Sequence, residues 1–483
     1  MKTTRKAIVI GAGVGGLSTA IELARRGLEV TVLEARSEPG GLASGFTAEG
    51  LSFDYGPYIL LDRPGLEWSF QQFGEELAAH LELRRIEEIY RVTDAAGVQV
   101  NFYSDLDRTA REFEQRWPGS AKSYISFVQR TNHVYRRLSG LLHISRPTMM
   151  DLLRSGAWTQ ARFLLKSLGQ VLAGTGLPRV IINAIGIWTH VAGQKLDEAP
   201  SPLAFVPGLF HTVGCYLPVG GIRRISQIMT TLAVNSGVRF EFNCKARRIR
   251  TRGDIIQAVE TEHGEVCEAD VIISNHSAIG TYLDLLDQRL HRGDEAELES
   301  LPLQSPGVCA YLALRNAPPP PYLHFYLPEG DEPCRLLINP ALVIPEERTN
   351  GEGTGGWYPA RLLSPMRYAE AARGGAQGQQ QYLEKILAED WWKTQGGETR
   401  VLASQTPMQW AGRFNLYRDS MNPVMTARFM RSGRMPHRSS QFKGLYFAGS
   451  STHPGQWVSF CAISGVLAAN CVLEDLGLEP ERR

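Results

Sequence analysis

Cysteine is scarce and unpatterned in these 483 residues: seven thiols fall at 215, 244, 267, 309, 334, 461 and 471, with no C-x-x-C pair. An odd, scattered set argues against a disulfide framework and against a zinc site. Long hydrophobic runs are missing as well, and without about 18 consecutive apolar residues no segment is expected to span a membrane. Neither charge sign is in excess. Lys plus Arg number 51 and Asp plus Glu 50, a formal net charge of +1, so no nucleic-acid partner is expected. Residues 1–5 run straight into an apolar strand, which leaves no room for a secretory leader and makes the expectation a cytoplasmic protein. The length favours two connected domains.

What is present begins at once. Lys6-Ala7-Ile8-Val9-Ile10 reads as a buried parallel strand, and Gly11, Gly13 and Gly16, with Gly15 between them, follow it in a G-x-G-x-x-G turn. The turn opens a helical pattern that Gly27 can end. Physical chemistry asks for glycine at each place. Gly11 permits the tight turn, Gly13 lets backbone approach a pyrophosphate, and Gly16 allows close helix–strand packing. The anion then faces the helix N-terminus. A second strand, Glu29-Val30-Thr31-Val32-Leu33, ends at Glu34 with Ala35 behind it, about 20 residues on, where a ribose hydroxyl is read.

Glu34-Ala35-Arg36-Ser37-Glu38-Pro39-Gly40-Gly41-Leu42 puts a double glycine just past that acid. This resembles the FAD-binding signature of the flavin-containing amine oxidase and phytoene desaturase superfamily, where the glycine pair (Gly41 here) lets backbone approach the flavin diphosphate. Most members carry arginine where this chain has Leu42. Phe53-Asp54-Tyr55-Gly56-Pro57 looks like the superfamily's F-D-x-G-P strand, which implies Gly56 and Pro57 beside the flavin. Tyr58 then either faces the substrate or packs as a core tyrosine. A P-x-G-G loop at 218–221, a helix, and a following strand are similar to phytoene desaturases, and Ala246 stands where that family contacts adenine through backbone. At the C-terminus, Ala448-Gly449-Ser450-Ser451-Thr452-His453-Pro454-Gly455-Gln456-Trp457 resembles the flavin motif of bacterial phytoene desaturases. It implies Gly449, Ser450 and Trp457 around the ring, and amides of Val458 and Ser459 at the edge that becomes anionic on reduction. His453 is either a catalytic base or part of the turn.

The resemblance implies an α/β fold: a discontinuous Rossmann-like FAD-binding domain (1–62, 211–277 and 400–483) with an inserted α+β substrate domain (63–210 and 278–399). FAD is expected to be non-covalent, since no histidine or cysteine stands at a flavin-linking position. Segment 317–321 reads as a loop, as does 349–356, whose glycines follow no apolar strand. Without a second dinucleotide site, the electron acceptor is expected to be external, oxygen or a quinone. Segment 146–187 carries Arg146, Arg154, Arg162, Lys166 and Arg179 against Asp151, with Ala161, Leu164, Leu165, Leu168, Val171 and Leu172 on one helical face. Such a segment either lies on a membrane surface or packs on its own domain. Amine oxidases of the superfamily place a lysine near the flavin, and the plausible counterpart strand at 307–314 has none. The resemblance therefore implies desaturation of a lipophilic, carotenoid-like substrate by hydride transfer to flavin. The alternatives are oxidation of an amine or amino-acid-derived intermediate, and a flavin-dependent isomerisation.

Overall fold

Strand β1 (Lys6–Ile10) is the third of five parallel strands. Ala7 to Ile10 are all buried, as expected of a parallel strand covered on both faces. In this computed structural model, which describes residues 5–190, 195–290, 292–316, 320–329, 333–338, 356–421, 423–424 and 434–478, β1 pairs with β2 (Glu29–Leu33) on one side. On the other it pairs with β4 (Val271–Ser274), so that Ile10 lies opposite both Leu33 and Ser274. β3 (Arg239–Glu241) and β5 (Leu445–Phe447) complete the order β5-β4-β1-β2-β3. Because the chain winds outward in both directions from β1, a crevice opens beyond its carboxyl end, the switch point where open α/β sheets bind ligands.

Helices α1 (Val14–Arg25), α2 (Arg223–Asn235) and α3 (Val458–Asp475) pack into one hydrophobic core with the sheet. α3 is long and apolar enough to cross a membrane, but 72% of it is buried. It lies on α1, where Ser18 Oγ donates to the Ala462 carbonyl at 2.6 Å. A Cβ at Gly465 would stand 2.3 Å from the Gly15 carbonyl oxygen. α3 is a core helix of this protein.

A second, seven-stranded mixed sheet runs in the order 399–405, 308–314, 358–364, 334–338, 323–327, 88–94, 99–103. The architecture is therefore α/β with an α+β portion, as the motifs imply. Of the two segments read as loops, residues 317–319 of 317–321 and 349–355 of 349–356 lie outside the described residues.

Three expected domain boundaries need correction. Strand Thr399–Gln405 pairs with Val308–Leu314 in the mixed sheet, so position 400 does not begin the nucleotide domain. Leu66, Phe70, Phe73 and Leu77 belong to the core under α1 and α3, so that domain runs past 62. Ala278 and Tyr282 pack against the other face of the parallel sheet, so it also runs past 277. In each case tertiary packing decides, with no local sequence signal.

Segment 146–187 is not one amphipathic helix. Helix Ala161–Leu164 ends, and Ser167 starts Leu168–Ala173 with a capping box: Ser167 Oγ accepts from Gln170 N and Gln170 Oε1 accepts from Ser167 N. The expected face divides there. Leu168, Val171 and Leu172 are core, whereas Leu164 and Leu165 face solvent.

Candidate functional site

A cavity of about 1540 Å³ occupies the crevice and continues under the mixed sheet. Single ligand pockets commonly measure roughly 300–1,000 Å³; this one has room for a dinucleotide and a second molecule. One end is the glycine turn. Gly11 holds φ at +92°, a conformation L side chains resist. A Cβ on Gly13 would stand 2.6 Å from Asn275 Nδ2, and one on Gly15 would stand 2.6 Å from Gly449 Cα. Gly16 does not line the cavity. It sits underneath, where a Cβ would stand 2.1 Å from the Gly11 carbonyl, which is the packing role expected of it. α1 has no side-chain cap, so its first amides face the space left by the glycines.

Glu34, Ala35, Gly41, Leu42 and Ala246 line the same end. The Glu34 carboxylate also holds the turn itself: Oε2 accepts from Ala12 N at 2.7 Å and Oε1 from Arg36 N at 2.9 Å. Burial pushes its pKa up, opposed by those amides and by Arg36. Arg36 donates to Ser44 Oγ at 2.9 Å, placing a guanidinium beside the second glycine pair in a chain that has Leu42 rather than arginine.

The other end begins at Gly56 and Pro57. Asp54 explains the F-D motif: its oxygens accept from Ile222 N (2.9 Å) and Arg223 N (3.1 Å), tying this strand to the start of α2. Arg361 straps the next turn by donating to the carbonyls of Asp54 (2.7 Å), Tyr55 and Gly56 (2.6 Å). Gly449, Ser450, Trp457, Val458 and Ser459 form the facing wall, where α3 again starts without a side-chain cap. The lining also holds Tyr58, Trp188, Leu203, Val206 and Leu363, with the charged Lys195, Glu198 and Arg335 among them.

Of the two residues expected as catalytic candidates, only Tyr58 reaches the cavity. It is buried, and that burial raises its hydroxyl pKa. His453 is a correction. It does not line the cavity; its Nε2 donates to the Leu141 carbonyl at 3.0 Å, and burial, then Arg434, pushes its pKa down to about 4. It belongs to the turn. Strand Val308–Leu314, the expected counterpart of the lysine-bearing strand, is wholly buried inside the mixed sheet and does not reach the cavity. The wall is formed instead by Arg335 and Leu363 on neighbouring strands.

Three lining residues escape sequence reading. Asn275, just past β4, touches Gly11 and underlies Gly13 and Gly449. Asp62 starts helix Arg63–Gln72, its Oδ1 accepting from Gly65 N at 3.2 Å. Its Oδ2 is buried near the Ser459 hydroxyl, and burial raises the Asp62 pKa, opposed by Ser459 and the Gly65 amide. Arg335 is the third. None sits in a spacing pattern that a linear reading could catch.

These features fit a flavin dinucleotide: two uncapped helix N-termini, a glycine floor that side chains would fill, and the Glu34 carboxylate line one continuous space. The family described as FAD dependent oxidoreductase (DAO) matches residues 6–470. The chain is 28% identical over 487 residues to a zeta-carotene-forming phytoene desaturase of Myxococcus xanthus, covering 96% of this chain and 93% of that one. It is 24% identical to a 4,4'-diapolycopene oxygenase of Methylomonas, covering 98% and 99%. Among solved structures, an oxidoreductase from Methanosarcina mazei superposes with a TM-score of 0.67 at 16% identity, covering 97% and 100%. Cyclohexylamine oxidase from Brevibacterium oxydans superposes at 0.62 and 16%, covering 98% and 100%. At such identity the structural matches speak for the fold alone.

Proposed function

The chain belongs to the DAO family of FAD-dependent oxidoreductases, and on that premise we propose that it dehydrogenates a long apolar, polyene-like substrate. The observation that carries this reading is the cavity wall itself: the space above the glycine turn continues into a compartment of Tyr58, Trp188, Leu203, Val206, Leu363 and Trp457. The carotenoid desaturases among the relatives favour the same substrate class. Bound FAD supplies the two-electron acceptor for a hydride.

The chain's own residues divide the remaining work. The α1 turn and Glu34 hold the dinucleotide without a covalent link, and the first amides of α3 favour negative charge at their end. The aromatic wall excludes water and orients the polyene. Asp62, a cavity-lining carboxylate next to Ser459, takes the proton that leaves with the hydride. The acceptor that reoxidises the enzyme is external, oxygen or a quinone. Anaerobic incubation with a lipid-dispersed hydrocarbon polyene should yield a product with one more conjugated double bond, read from its absorption spectrum. Turnover of primary or secondary amines with none of any polyene would overturn the reading. Amine oxidation is the second reading, because the lysine-free strand does not reach the cavity while Lys195 lines it.

The substrate's solubility favours a membrane-facing surface, and 146–187 supplies one. Met149, Met150, Leu153, Trp158, Leu164 and Leu165 are exposed large hydrophobics, interleaved with Arg154, Arg162 and Lys166. Phe163 of this face stacks on Phe205 at 5.5 Å, next to the cavity residue Val206. The pairing of apolar and basic side chains suits an anionic bilayer. Replacing Arg162 and Lys166 by Glu should reduce pelleting with anionic liposomes and leave flavin content intact. Wild-type protein that ignores such liposomes at low salt would remove the membrane role.

A further inference from the structure

Arg335 enters the cavity from strand Cys334–Ile338, its guanidinium 5.4 Å from the centre of the Tyr58 ring. Arg361 lies over the same ring at 5.8 Å and donates through Nη1 and Nη2 to the Asp54, Tyr55 and Gly56 carbonyls, while its Nε, like that of Arg335, has no partner. Arg335 has no such outlet. Among the described residues nothing accepts a hydrogen bond from it, and its Nε is sealed from solvent. The groups that act on it most strongly are the Tyr58 hydroxyl, Arg361 and the thiols of Cys309 and Cys334. Burial lowers its pKa, and Arg361 adds to the effect. A guanidinium nevertheless stays charged.

The side chain as a whole is part-buried in the cavity wall, and a charge partly removed from water without an anionic partner is destabilising. Tyr58 offsets part of that through its ring face, which is worth less than a hydrogen-bonded anion. The planar fork of donors matches a carboxylate in particular. Arg335 stands on the mixed sheet, whereas the residues suited to phosphate are on the glycine turn at the parallel sheet. Its neighbours in the wall are those of the apolar compartment. We infer that Arg335 anchors a carboxylate-bearing end of the substrate, so that the substrate class is an oxygen-bearing polyene acid rather than a bare hydrocarbon. This rests on the polyene reading of the cavity and narrows it.

The experiment compares two probes on the FAD-loaded protein in detergent: all-trans-retinoic acid, and the hydrocarbon of the same skeleton with methyl in place of the carboxyl. Binding is read by quenching of tryptophan fluorescence, since Trp188 and Trp457 line the cavity. Wild type should bind the acid roughly 10- to 100-fold more tightly, the size expected of a charge-assisted hydrogen bond. Arg335→Met should bring the acid to the level of the hydrocarbon while hydrocarbon affinity, flavin content and flavin midpoint potential stay unchanged. Arg335→Lys should keep part of the preference, and Arg335→Gln replaces Arg335→Met if the latter does not fold. Equal binding of both probes by wild type would overturn the anchor and leave the polyene reading standing. So would equal weakening of both probes by Arg335→Met. A changed flavin content or potential in the variants would assign Arg335 to the cofactor. Binding of neither probe would remove the polyene reading and the anchor together.

Discussion

Glu34 and Glu38 lie four positions apart and differ in what they touch. Glu34 accepts two backbone hydrogen bonds within the nucleotide turn, whereas Glu38 pairs with Arg36 at a half-exposed position. Each charge-assisted bond is worth roughly 1.5–3 kcal/mol. Glu34→Ala should therefore purify with much less flavin and a lower melting temperature, while Glu38→Ala keeps both near wild type. Equal flavin content in the two variants would show that Glu34 does not organise the turn. Histidines with lowered pKa values make stability fall in acid. Burial pushes His276, His324 and His453 down to about 4 and His437 to about 3, below the usual value near 6.5. The unfolded chain binds these protons first, so stability present above about pH 6.5 is lost as pH falls toward 4. Urea midpoints should drop between pH 7 and pH 5, and His453→Gln should make that drop shallower; an unchanged slope would show that His453 is not buried neutral. At this scale the motif glycines and Glu34 are legible in the sequence, because close backbone approach leaves a spacing. Asn275, Asp62 and Arg335 are not, because their roles come from contacts across the fold.

Helices show where periodicity informs and where it misleads. The last helix is readable, and its small residues have a tertiary reason: Gly465 lies against the Gly15 carbonyl and Ser18. Gly465→Val should force α3 off α1, costing about 1–3 kcal/mol or more in thermal unfolding and lowering flavin content with it. A variant as stable as wild type would mean that the two helices can separate without harm. In 161–172 the apolar spacing continues across a helix boundary: one helix ends at Leu164 and Ser167 caps the next. Hydrophobic pattern alone cannot say whether a leucine meets core or solvent. Strand Thr399–Gln405 reads into the wrong domain for a similar reason, since its partner Val308–Leu314 is distant in sequence.

For the molecule as a whole, the discontinuous parallel sheet is legible because each returning segment carries its own ligand-facing motif. The mixed sheet carries none, so its strand order and the wall it presents cannot be read from the chain. The single glycine fingerprint predicts that NAD(P)H at micromolar concentration does not reduce the flavin rapidly, checked by stopped-flow absorbance; rapid bleaching would contradict it. The account's central claim is that the space above the nucleotide turn oxidises a polyene by hydride transfer. The most direct measurement is the flavin absorbance of purified holoprotein mixed anaerobically with dispersed polyenes, bare and carboxylated, and separately with a panel of amines. The account predicts bleaching of the oxidised flavin band with a polyene and none with amines; bleaching by an amine, with no polyene active, would contradict it.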